Sequence, residues 1–124
     1  MLEPNVIVMY VNNLTISRSF YQDLFNKSPV ESSPSFTMFK LSNGMGLGLK
    51  DRRTVQPGIE GNGSKNGELA FTVANKEEVD ALFLSWKEKR IRIAQRPTQV
   101  SFGYTFLAED PDGNRLRVAA LSNI

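Results

Sequence analysis

The chain runs twice through the same order of elements, and that repeat constrains its fold more than any single motif. Asn5 to Val11 is an apolar, β-rich run broken by Asn12-Asn13. Between Thr15 and Phe25, Phe20 pairs with Leu24 and Tyr21 with Phe25 at i, i+4, the spacing of one helix face. Ser28-Pro29 ends that helix. Ser35 to Leu41 and Met45 to Lys50 are predicted as a hairpin around Ser42-Asn43-Gly44, because Asn-Gly suits a tight turn. Further on, Glu68 to Val73 is a predicted strand, and Asn75 with Glu78 three residues later marks a helix start. Val79, Leu82, Phe83 and Trp86 then fall at i, i+3, i+4, i+7, so Trp86 completes an apolar core stripe. Ile91 to Ile93 begin another strand, Val100 to Glu109 form a longer one, and Arg115 to Leu121 the last. Asp110 and Asp112, in Asp-Pro-Asp-Gly, are turn formers rather than a catalytic carboxylate pair.

Strand, helix, strands, and then the same again implies an internal duplication. The predicted fold class is α+β: paired βαβββ modules forming a curved mixed sheet around a cleft. A single domain is expected over residues 1–124, its halves at about 1–50 and 68–124 joined by a linker at 51–67. Pro57 and the glycines at 58, 61, 63 and 67 give that linker its character.

Composition removes several function classes. The chain has no histidine and no cysteine. It therefore lacks the usual ligands of zinc, nickel, copper and most catalytic iron, and the commonest general base near neutral pH. The net charge is +2, and basic residues are scattered and mixed with acids, as in Lys87-Glu88-Lys89-Arg90. A nucleic-acid partner would call for a clustered basic face, so none is expected. No apolar run approaches the roughly 20 residues of a membrane helix, and Met1-Leu2-Glu3-Pro4 lacks the start of an export signal. A cytoplasmic location without a membrane partner is the expectation. Neither a Gly-x-Ser-x-Gly elbow nor a phosphate-cradling glycine loop is present.

Three segments resemble the vicinal oxygen chelate superfamily, which includes glyoxalase I, extradiol dioxygenases, fosfomycin-resistance enzymes and bleomycin-resistance proteins. They are Tyr10 to Leu14 leading into Ser19-Phe20-Tyr21-Gln22-Asp23-Leu24-Phe25, then Leu69 to Val73 with its helix, and Phe106 to Asn114 with its Asp-Pro-Asp-Gly-Asn turn. Counting from these motifs, the family's metal-ligand positions fall at Val6, Glu68 and Arg117. Valine cannot ligate and arginine is a permanent cation, so the resemblance implies a member without a metal cofactor. Val11-Asn12-Asn13, Ser28-Pro29-Val30, Phe83 with Trp86, and Phe102 to Leu107 look like the phenazine-resistance type of drug-binding protein. That resemblance implies a homodimer holding a planar aromatic antibiotic in a cleft. The chain departs from it after Leu49, where Lys50-Asp51-Arg52 replaces a stacking tryptophan.

Strand alternation sorts the remaining candidates. With Val6, Glu68 and Arg117 on the cleft side, Val8, Tyr10, Ala70, Thr72, Arg115 and Ala119 share it, while Ile7, Met9, Leu69, Phe71, Leu116 and Val118 pack under the helices. Gly46 and Gly48 also fall on the cleft side, leaving room for a flat ligand or for a close strand crossing. Phe36, Met38, Phe102 and Tyr104 are candidate walls that would equally suit a core, with Thr105 and Leu107 beside them. Arg117 needs an anion: either Glu68 across the cleft or a ligand carboxylate. The expected function is non-catalytic sequestration of a planar aromatic, phenazine-like antibiotic. The alternative is a metal-independent enzyme using Glu68 as base or Tyr104 as acid.

Overall fold

A computed structural model describes residues 2–59 and 67–122. The chain divides into two compact units, Met1–Ser64 and Lys65–Ile124. The part of the predicted linker at 60–66 lies outside the described residues.

The first unit contains β1 (Val6–Val11), α1 (Leu14–Phe25), β2 (Glu31–Ser32), β3 (Phe36–Lys40) and β4 (Gly46–Asp51). The sheet order is β1-β4-β3-β2, with β1 parallel to β4 and the other pairs antiparallel. Asn13 caps α1 by accepting from the Ile16 amide at 3.0 Å, which satisfies an amide that helical geometry leaves open. Asn26 closes the helix in the left-handed region at φ 52°, a conformation asparagine tolerates. The helix lays Leu14, Ser17 and Tyr21 on the sheet. Phe25 meets Phe39 edge to face at 5.7 Å, over buried Leu47 and Leu49.

Two features here escape sequence reading. Strand β2 is only two residues long, too short to leave a periodic signal. Asp51 is not linker but the buried end of β4, and Arg52–Thr54 form a 3-10 turn. The Asp51 carboxylate accepts from the Arg53 amide at 3.0 Å, from Nε at 3.0 Å and from Nη2 at 2.7 Å. The Arg53 side-chain bond holds the Asp51 carboxyl at about 2, below the ordinary carboxylate range. A depressed folded-state pKa supplies stability that is complete above roughly pH 4 and lost as pH falls toward 2. Asp51→Asn should therefore flatten the melting temperature against pH across that window.

Thr37 shares a sheet face with Leu49, opposite it in register, and is fully buried with no partner for its hydroxyl. An unmade hydrogen bond in a core is unfavourable. Thr37→Val, which keeps the shape, should raise stability by about 1 kcal/mol in urea unfolding.

The second unit contains β5 (Glu68–Val73), α2 (Lys76–Glu88), β6 (Arg92–Val100), β7 (Gly103–Glu109) and β8 (Arg115–Leu121). The order β5-β8-β7-β6 repeats the first sheet's plan, with β5 parallel to β8. Asn75 accepts from the Glu78 amide at 2.9 Å while Glu78 reaches back to the Ala74 amide at 3.3 Å. Glu77 and Glu78 in the first turn and Lys87 in the last suit the helix dipole. Trp86 is core: it meets Phe71 at 5.7 Å and Phe106 at 5.3 Å, both edge to face. Asp110 shapes its turn by accepting from the Asp112 and Asn114 amides at 2.9 and 2.8 Å.

The long strand expected from Val100 is divided. Val100 ends β6, Ser101-Phe102 turn, and β7 starts at Gly103. Gly103 sits at φ 150°, and a Cβ there would collide with the Ala120 carbonyl oxygen. Gly103→Ala should cost about 3 kcal/mol, from backbone strain and overpacking together, read by urea unfolding.

Candidate functional site

In each unit one sheet face is covered by its helix, and register identifies what lies on the other. On the first sheet three rows cross that second face: Val6, Gly46 and Lys40; Val8, Gly48 and Met38; Tyr10, Lys50 and Phe36. Edge strand β1 leaves Val6, Val8 and Tyr10 43%, 44% and 45% exposed. The room over the glycines is already taken. A Cβ on Gly48 would lie 2.9 Å from the Phe36 ring, and one on Gly46 would lie 3.1 Å from Met38 Sδ. Phe36 and Met38 lean diagonally across the glycines of β4. Of the two readings of these glycines, a flat ligand or a close crossing, the neighbours of Gly48 fit a crossing, with the Phe36 ring as the aromatic surface over it.

On the second sheet the rows are Glu68, Arg115, Glu109 and Arg92; then Ala70, Arg117, Leu107 and Gln95; then Thr72, Ala119, Thr105 and Thr98. The first row alternates in charge across four strands, and Arg92 Nη1 reaches Glu109 Oε1 at 3.4 Å. Like charges are thereby kept from facing each other.

Arg117 is the centre of this face. Its Nε donates to Glu68 Oε1 at 2.7 Å and its Nη1 to Thr105 Oγ1 at 3.2 Å. The Thr105 hydroxyl donates to the Val118 carbonyl at 2.7 Å, leaving its lone pair to receive Arg117. The guanidinium carbon stands 5.4 Å from the centroid of the Phe102 ring, within cation–π range. Thr105 and Leu107 are buried, whereas Phe102 and Arg115 are exposed. Of the two partners foreseen for Arg117, Glu68 is the one in contact.

Tyr104 does not join this group. Thr105 and Tyr104 are adjacent in β7, so they cannot share a face. Tyr104 lies with Phe106 on the α2 side and donates to Asp80 Oδ1 at 2.8 Å. That bond raises its phenol pKa, and Lys76 Nζ sits 5.5 Å from its ring centroid. The tyrosine ties β7 to α2 and is withdrawn as a candidate acid.

The three positions at which the resemblance leads us to expect metal ligands do not suit a metal. Val6 has no donor atom, Arg117 is cationic, and the Glu68 carboxylate is engaged by Arg117. Among the described residues no three His, Cys, Asp or Glu side chains gather into a metal-binding group.

Two βαβββ units of the same plan, each with its helix on one face, define the class. The chain belongs to the Glyoxalase/Bleomycin resistance protein/Dioxygenase superfamily, whose family model matches residues 4–118. Phenazine antibiotic resistance protein EhpR of Enterobacter agglomerans is 33% identical over 123 residues, 97% of this chain and 93% of that protein. A protein of Agrobacterium tumefaciens with a solution structure is 46% identical, with a TM-score of 0.86 over 99% of this chain and 100% of that one. A glyoxalase-related enzyme from Fulvimarina pelagi, at 22% identity, shares the fold with a TM-score of 0.81 over 97% of this chain and 88% of that one.

Proposed function

We propose that this protein binds a planar aromatic, phenazine-like antibiotic and protects by holding it unchanged, acting as a cytoplasmic homodimer. The observation that carries this reading is what stands at the family's metal positions: an Arg117–Glu68 ion pair beside the exposed ring of Phe102. An aromatic surface with an adjacent cation suits a flat ring system bearing an acidic substituent. Similarity to a phenazine resistance protein over nearly the whole chain supports the ligand class. Phe102, Arg115 and Arg117 are the contacts proposed on the second unit's open face; on the first unit's own open face the residues proposed for ligand contact are Val8, Tyr10, Phe36 and Met38.

Calorimetric titration with phenazines and other planar aromatic antibiotics tests the proposal. Trp86 is packed in the second unit's core, so its emission reports folding better than binding. Saturable binding with the compound recovered unchanged supports sequestration. Recovery of an altered compound would establish an enzyme instead, and sedimentation at the titration concentration decides the dimer.

A further inference from the structure

We propose that Glu68 is an internal stand-in for the ligand's acid, a residue that sets the charge selectivity of the site, and that the ligand is a planar aromatic carboxylate. The inference rests on the reading that the Arg117 face binds the ligand, and it adds how that face chooses.

A guanidinium carries five N–H donors. The bonds to Glu68 and Thr105 use two of them, and five less two leaves three, which meet no acceptor among the described residues. The Glu68 contact uses one carboxylate oxygen on Nε alone, not the two-point fork that arginine favours. A second carboxylate would find stronger geometry on the same cation than Glu68 holds.

Burial says which partner yields. The Glu68 side chain is 34% exposed and the Arg117 side chain 17%. Glu68 opens β5, the edge strand of its sheet, and follows Gly67. Rotating it outward returns its charge to water. Arg117 lies in β8, inside the sheet, tied to Thr105 and stacked on Phe102. The cation stays and the carboxylate moves.

Charge arithmetic favours a monoanion. One arginine released by one carboxylate matches one incoming carboxylate, whereas a phosphate dianion would keep an unmatched charge near Glu68 and Glu109. In the wild type the ligand acid shares the Arg117 charge with Glu68, and the two carboxylates oppose each other across it. The acid form of a ring system should therefore outbind its amide by less than an unopposed arginine would allow. Removing the Glu68 charge ends the competition for the acid form alone.

Phenazine-1-carboxylate and phenazine-1-carboxamide, titrated into wild type, Glu68→Gln and Glu68→Gln/Arg117→Lys, test this. Glu68→Gln should bind the acid about tenfold tighter, the size of one charge-assisted hydrogen bond no longer in competition, and leave the amide unchanged. The double variant should lose that gain. Glu68→Asp, which keeps the charge but shortens the reach, should tighten the acid by less, and it serves if the Gln variant fails to fold. Equal changes for acid and amide, or none for either, would overturn the stand-in role while leaving the binding function intact. Failure of both compounds to bind any variant would instead overturn the functional reading, and the stand-in with it.

Discussion

Phe106→Ala is expected to leave the second unit barely folded. The ring is fully buried, 5.6 Å from the Phe83 centroid and 5.3 Å from that of Trp86, and both contacts are edge to face. Truncating a phenylalanine in such a place removes transfer energy, leaves a cavity and breaks two aromatic pairs, for a loss of about 3–5 kcal/mol. Small domains hold about 5–15 kcal/mol in all. Urea unfolding followed by Trp86 emission should show the midpoint collapse, since Trp86 is one of the two rings that lose their neighbour. An unchanged midpoint would contradict the packing described. Phe106 follows Thr105 in β7, so the same loss should loosen the hydroxyl that holds Arg117.

Arg117→Met carries the largest effect on binding. Methionine keeps much of the stem but removes the charge, the Glu68 and Thr105 bonds and the stack on Phe102. Affinity for an acid-bearing phenazine should fall by about tenfold to a hundredfold, the range for hydrogen bonds to charged groups. Stability should move by about 1 kcal/mol or less, because Glu68 is a third exposed and regains water. Calorimetry and thermal melting on the same preparation separate the two. Lost stability with retained affinity would make Arg117 a structural ion-pair member only.

Periodicity carried far in this chain. Alternation in β5 and β8 and the helical stripe of Val79, Leu82, Phe83 and Trp86 are local signals, set by backbone geometry and by which face is buried; in edge strand β1 it failed at Ile7, which is 44% exposed where packing under the helix was expected. The Asp110 turn was legible for the same reason, since its hydrogen bonds run between residues two and four apart. The two-residue β2 is shorter than any period. Tyr104 and Thr105 are neighbours in β7, so alternation places them on opposite faces and only one of them can share a face with Arg117. The space over Gly48 was illegible for a different reason. Its filling depends on which residue of β3 lies diagonal to it, a register that no local pattern carries. Phe102 stands in a turn just outside β7, where alternation no longer says which way a ring points.

The Phe36–Gly48 contact makes two positions inherit each other's options. A larger residue at 48 must displace the Phe36 ring, and a small residue at 36 leaves a bare strip of backbone while position 48 is glycine. Single changes at either place should be selected against, and paired exchanges tolerated. A lineage that swapped them would move its aromatic surface one strand across, about 4.8 Å. Ligand preference could then drift among relatives without any change of fold.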